Sequence, residues 1–125
     1  MKNILLLVIA LCIGAATNAQ DTKKIEISKS VISEFQKKEY AKIVLTFDET
    51  MKNALPAEKL KQVWEGLLAQ CGSYQKYSAI TEGKIQDYDI VYVLCHFEKV
   101  NLKIKLVFNS QNKVAGMFFI PENQQ

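Results

Sequence analysis

The chain contains no arginine and only one histidine among its 125 residues. Every basic side chain is therefore a lysine, and the planar guanidinium fork that favours phosphate and base-edge recognition is missing. We do not expect a nucleic-acid-binding protein. With a single histidine, His96, and cysteines whose spacing matches no metal motif, we expect neither a metal site nor a cofactor.

Net charge and chain length are also small. The formal net charge is +3, one unit of which lies on Lys2. Such a mild charge is typical of a soluble protein rather than of a partner for a polyanion. The length allows one hydrophobic core and no second domain. No repeat or low-complexity linker interrupts the chain, so we predict one domain over residues 20–125.

Long apolar runs are scarce as well, and the one at residues 4–13 is too short to span a bilayer, which takes roughly 20 residues. Lys2 precedes the run, and Thr17 and Ala19 place small side chains where a signal peptidase requires them. We therefore predict a signal peptide over residues 1–19, export to the periplasm or the medium, and no membrane span. The bulky Leu11 before Cys12 argues against a lipoprotein.

Processing after Ala19 is directly testable. The exported protein is expected to begin at Gln20, because the small side chains at Thr17 and Ala19 suit the peptidase pockets. Mass spectrometry of the protein purified from its own source measures this terminus. A mass that retains residues 1–19 would contradict the prediction.

Two cysteines, Cys71 and Cys95, remain after the predicted cleavage. Export would take them to a compartment where a disulfide persists. Burial as two small apolar thiols explains them equally well. The sequence leaves both interpretations open.

The first half of the mature chain carries apolar stripes at helical spacing, which predict three helices. The first runs from Lys23 to a break at Lys38. The second begins at Tyr40 and includes Met51, and the third begins at Pro56 and stops at Gly72. The stripes are Ile27, Val31, Ile32 and Phe35; then Tyr40, Ile43, Val44, Phe47 and Met51; then Leu60, Val63, Trp64, Leu67 and Leu68.

After Gly72 the apolar period changes to alternation, which predicts four antiparallel strands. Their expected bounds are Tyr74–Lys84, Tyr88–Lys99, Leu102–Phe108 and Val114–Ile120. The second strand is apolar on both faces, whereas three helices can cover only one side of a sheet. The uncovered apolar surface implies strong curvature or a partner, and we favour a homodimer through the outer face of the sheet.

Several short motifs resemble the family catalogued as domain of unknown function 3887. The matching segments are Phe47-Asp48, Leu55-Pro56-x-Glu58-x-Leu60, Val63-Trp64, Gln70-x-Gly72, Val93-x-Cys95-x-Phe97-Glu98 and Val114-Ala115-Gly116. The order of elements resembles nuclear transport factor 2-like, or cystatin-like, folds. The resemblance implies an α+β fold in which three N-terminal helices pack on a curved four-stranded antiparallel sheet. It implies no catalytic residues, and the chain lacks a Gly-x-Ser-x-Gly elbow.

A ligand pocket is expected inside this cone, lined by Tyr40, Phe47, Trp64, Tyr88, Tyr92 and His96. His96 is the candidate general base, oriented by Asp48 or by a tyrosine hydroxyl. The alternative is a strand histidine whose hydrogen bond goes to a neighbour. The lysine row of Lys99, Lys103 and Lys105, with Lys84, either attracts an anionic surface or forms an ordinary solvated strand face.

These observations favour an exported, non-catalytic binding domain that holds a small apolar ligand or a protein partner. The pocket between sheet and helices and the outer face of the sheet are the two candidate sites. The alternative is a small cone-pocket isomerase or hydrolase-like enzyme that uses His96. A cystatin-type inhibitor is disfavoured, because no glutamine-valine-glycine wedge follows the second strand.

Overall fold

The computed structural model describes residues 19–125. The predicted signal peptide, residues 1–19, lies outside the described residues apart from Ala19. Within residues 19–125 four helices precede a four-stranded sheet, so the α+β class is confirmed and the predicted number of three helices is wrong. The helices are α1 (Ala19–Gln36), α2 (Tyr40–Val44), α3 (Glu49–Ala54) and α4 (Ala57–Cys71).

The extra helix arises because the predicted second helix is interrupted between α2 and α3. Phe47 forms a parallel β-bridge with Val114, and the backbone N–H of Asp48 donates to the carbonyl of Val114 at 2.9 Å. The Asp48 carboxylate then accepts from the N–H of Met51 at 2.8 Å, which makes it the N-cap of α3. The apolar stripe of the predicted second helix is correct, but pairing with a distant strand interrupts that helix.

Helix α4 ends where the sequence predicts. Gly72 has φ +83°, and its N–H donates to the carbonyl of Leu68 at 2.8 Å. A β-carbon at Gly72 would lie 2.6 Å from Cβ of Glu98. Glycine is therefore required here both by the backbone conformation and by the close approach of the turn that contains Glu98.

The second half forms an antiparallel meander in the order β1-β2-β3-β4. The bounds differ from the predicted ones by at most two residues. Register shifts interrupt the β1–β2 pairing near Lys76 and Ala79, and bulges of this kind bend a strand and increase its twist. The strands are β1 (Tyr74–Ile85), β2 (Tyr88–Phe97), β3 (Asn101–Phe108) and β4 (Val114–Pro121).

The helices pack on one face of this sheet and enclose the hydrophobic core. Leu60 and Trp64 of α4 share one buried cluster with Ile104 and Leu106 of β3, which confirms that the helical stripes close over the sheet. The indole of Trp64 stacks on the ring of Phe35 with centroids 4.4 Å apart. Full burial of side chains of this size stabilises a fold by roughly 1.5–3 kcal/mol each.

Cys71 and Cys95 are both buried and both free thiols. Cys95 is fully buried on the core face of β2, and burial raises its pKa to about 12. The sequence left open a disulfide or two buried thiols. In the structure both cysteines are buried thiols among the core residues.

A buried ion pair joins α1 to the sheet. Lys24 is 7% exposed, and its ammonium bonds the carboxylate of Asp89 at the start of β2. Ser28, one turn further along α1, is fully buried and donates to the carbonyl of Lys24 at 2.8 Å. Asp89 also lies 3.8 Å from the more exposed ammonium of Lys84. The position of α1 on the sheet therefore depends on a largely buried ammonium whose anion is partly exposed.

Asp89→Asn is expected to lower the free energy of unfolding by roughly 1–3 kcal/mol, because it leaves the Lys24 ammonium buried without its anion. Lys84→Met is the matched control: it removes the exposed partner of the same carboxylate and should change stability by less than about 1 kcal/mol. Urea unfolding of both variants measures the difference. Equal, small effects would contradict the role given to the buried pair.

The same pair gives stability a pH dependence. The hydrogen bond from Lys24 lowers the pKa of Asp89 below its ordinary value of 3.8. Its contribution is complete above that ordinary value and is lost as the pH falls through the lower folded value. Asp89→Asn should remove this part of the acid sensitivity.

Candidate functional site

The sheet separates the six residues predicted to line one pocket. Tyr40, Phe47 and Trp64 lie on the helix side, where they are 8%, 1% and 3% exposed and belong to the hydrophobic core. They fill space there. Their side chains pack against other core residues rather than gathering with the other three predicted residues.

The remaining three, Tyr88, Tyr92 and His96, lie on the opposite side of β2. We call this side, turned away from the helices, the outer face. Since alternate residues of a strand point to opposite sides, Val91 and Val93 face the core and Tyr92 faces outward. The structure thus divides the predicted residues between core and outer face and does not bring all six together.

The two candidate catalytic residues, His96 and Asp48, contact different parts of the structure. His96 is half-buried, and its Nε2 lies 2.6 Å from Oγ of Ser78 on β1. Asp48 serves as the N-cap of α3. His96 is therefore held by a serine hydroxyl on the neighbouring strand, in agreement with the interpretation that it bonds a neighbour.

Two large side chains of β2 are buried on the outer face, although the helices pack on the other side. Ile90 is 1% and Tyr92 is 7% exposed. The Tyr92 ring lies over Gly83 of β1, where an added β-carbon would be 3.3 Å from Cε2 of the tyrosine. Glycine at position 83 therefore leaves the room that this ring occupies.

A cavity of about 630 Å³ opens above these residues. The strands β1 and β2 supply apolar lining from Ala79, Ile85, Ile90 and Leu94, beside the Tyr92 ring. The polar part of the rim includes Lys103 of β3 and Glu122 after β4. Thr81, Glu82 and Lys84 of β1 and Gln125 also line the cavity, so polar and apolar groups contribute comparably to its surface.

Two lysines of β3 lie over the aromatic rings of this face. The Nζ of Lys103 is 5.7 Å and that of Lys105 is 6.0 Å from the centroid of the Tyr92 ring. Lys105 is also 5.8 Å from the ring of Phe118. Cation–π contacts of this kind hold an ammonium near an apolar surface.

Neither lysine has a carboxylate partner among the described residues. The ion pairs there involve the lysines at positions 24, 42, 52 and 84. Lys103 donates instead to the backbone carbonyl of Gln124 at 3.1 Å. Neither ammonium therefore makes an ion pair with a carboxylate of the described residues.

A comparison with protein families identifies the family. The sequence model described as protein of unknown function (DUF3887) matches residues 28–117. The chain belongs to this family. No curated protein and no solved structure matches it significantly.

The DUF3887 match contains most of the outer-face site. The lining from β1, β2 and β3, between Ala79 and Lys103, falls inside the matched residues, whereas Glu122 and Gln125 lie beyond them. The apolar base and the lysines thus belong to the family domain, and the segment after β4 adds one side of the rim.

A second, more open cavity of about 460 Å³ lies between α2 and α4. Tyr40 lines it, together with Lys42 and Lys61. The Tyr40 hydroxyl is buried and has no hydrogen-bond partner among the described residues, and burial raises its pKa. Trp64, another predicted pocket residue of the helix side, borders a separate cavity of about 220 Å³ together with Phe35 and Leu68.

Sequence reasoning missed the part of the outer-face cavity that β1 supplies, which includes Ala79, Gly83 and Ile85. The double apolar pattern of β2 was a signal for an uncovered face. Nothing in that pattern showed that the face is hollow, because the hollow depends on how β1 and the segment after β4 lie beside β2.

None of the helices in residues 19–125 combines the length and the apolar character needed to cross a bilayer. Within the same residues, no three His, Cys, Asp or Glu side chains are grouped so that they could hold a metal ion.

Proposed function

We propose that this DUF3887 protein is an exported, non-catalytic binding domain that holds a small apolar ligand in the outer-face cavity. The observation that carries the proposal is the burial of Ile90 and Tyr92 beneath a cavity of about 630 Å³ on the helix-free face. Ligand sites commonly have volumes of roughly 300–1,000 Å³ and an apolar lining. The order of helices and meander sheet supports a nuclear transport factor 2-like, or cystatin-like, fold as part of the same proposal.

A homodimer is a second proposal for the same face. Ile85, Tyr88 and Phe118 are 52%, 42% and 52% exposed there. A second copy would cover these three side chains and leave the cavity between the two sheets. Native mass spectrometry of the purified protein gives the oligomeric mass and retains a bound ligand.

Filling the cavity tests the binding proposal. Ala79→Trp places an indole in the space next to Leu94, and because Ala79 is exposed the fold should tolerate it. The affinity for the neutral fluorescent probe N-phenyl-1-naphthylamine is expected to fall about tenfold or more, which corresponds to ~1.4 kcal/mol. Fluorescence titration measures it.

Ala69→Trp is the matched control, since it adds the same indole to an exposed position of α4 away from the cavity. It should leave probe affinity unchanged. Failure of the unmodified protein to bind the probe, or equal binding by both variants, would contradict the proposed function.

The enzyme alternative depends on the hydrogen bond between His96 and Ser78. His96→Ala and Ser78→Ala are both expected to leave probe binding within about twofold, well under the ~1.4 kcal/mol of a tenfold change, because neither residue lines the cavity. Hydrolysis of p-nitrophenyl acetate should be no faster with the unmodified protein than with either variant. A hydrolysis rate that depends on pH and disappears in His96→Ala would favour the enzyme instead.

A further inference from the structure

We propose that residues 122–125, which follow β4, form a strap that closes one side of the outer-face cavity and opens to admit a ligand. The inference rests on the proposed binding function and adds a route of access to that site. It is carried by two side chains of β3 that hold this segment beside the buried ring of Tyr92.

The strap lies on the outer face because the chain turns back after β4. Pro121 pairs with Leu102 at the end of the β3–β4 ladder, and the N–H of Gln124 donates to the carbonyl of Pro121 at 3.1 Å. Glu122 and Gln125 then line the cavity. Since β1 and β3 lie on opposite sides of β2, the cavity extends across β2 from β1 to the strap.

Two outward side chains of β3 hold the strap. Asn101 and Lys103 pair with residues of the outer file of β2, so their side chains also point to the outer face. Nδ2 of Asn101 donates to the carboxylate of Glu122 at 3.4 Å. Nζ of Lys103 donates to the backbone carbonyl of Gln124 at 3.1 Å. The strap is thus fixed by one hydrogen bond at its first residue and one at its third.

These contacts make the strap easy to open. All four of its side chains are polar and exposed. Hydrogen bonds between exposed groups are replaced readily by bonds to water, and a segment with few buried apolar contacts opens locally at a small cost in free energy. The hydrophobic core lies on the helix side of the sheet, so the strap can move without disturbing it.

Lys103 connects the strap to Tyr92. The ammonium that bonds Gln124 also lies 5.7 Å from the centroid of the Tyr92 ring. Lys105 lies at a similar distance, 6.0 Å, from the same ring, but the bonds to the strap come from Asn101 and Lys103. Tyr92 is 7% exposed with the strap in place. Release of the strap should therefore increase the access of reagents to this ring.

Nitration of tyrosines by tetranitromethane, located by peptide mass spectrometry, measures this access without any ligand. Lys103→Met and Asn101→Ala are each expected to speed nitration of Tyr92 about threefold, the change in an opening equilibrium when one modest hydrogen bond is lost. Lys105→Met is the matched control, because it removes a charge near the same ring but no bond to the strap. Tyr88, which is 42% exposed, serves as the internal standard.

Ligand exchange provides the second measurement. Asn101 lies outside the cavity lining, so Asn101→Ala loosens the strap without removing a group that contacts the ligand. Stopped-flow fluorescence with N-phenyl-1-naphthylamine should show association and dissociation about threefold faster, with Kd within about twofold of the unmodified value. Both rates rise together because the probe enters and leaves by the same route.

The outcomes separate the strap from the function on which it rests. Tyr92 nitration that is unchanged in Lys103→Met and Asn101→Ala, or equally fast in Lys105→Met, would overturn the strap and leave the binding domain intact. Unchanged exchange rates in Asn101→Ala, with the probe bound, would do the same. Failure of the unmodified protein to bind the probe would overturn the proposed function and the ligand route with it. Faster nitration in the two strap variants alone, together with faster probe exchange, supports the inference.

Discussion

Strand β2 needs apolar cover on both of its faces, and the rest of the structure follows from how that requirement is met. The file of Val91, Val93 and Cys95 is buried by the helices. The other file, which includes Ile90 and Tyr92, lies on the face that the helices do not reach. No helix of residues 19–125 packs on that face, so the face has apolar surface and a cavity where a second core would otherwise lie.

Local contacts on the outer face explain how such a surface stays compatible with solubility. The Tyr92 ring lies across Gly83 instead of projecting into water, and the ammonium groups of Lys103 and Lys105 lie above it. The lysine stems cover apolar atoms while their charged ends keep contact with solvent.

Much of the fold was predictable because it depends on local signals. The four strands follow from alternation and turn residues, and the end of α4 follows from Gly72. The division between α2 and α3 was not predictable in this way. It requires Phe47 and Asp48 to pair with Val114, which is distant in sequence. A continuous apolar stripe carries no information about such pairing, so the periodicity predicted one helix.

The candidate site was predictable only in part. Tyr92 was predicted to line a pocket and borders the outer-face cavity, whereas Tyr40, Phe47 and Trp64 were assigned to the same pocket and lie on the other side of the sheet. By itself the sequence determined the class of fold, the core residues and the two-faced character of β2, because each depends on the period of side chains along one element. Which apolar file met the helices, and which was left to line a cavity, was decided by tertiary packing. That choice depends on contacts between elements, and the period of side chains along a single element carries no information about such contacts.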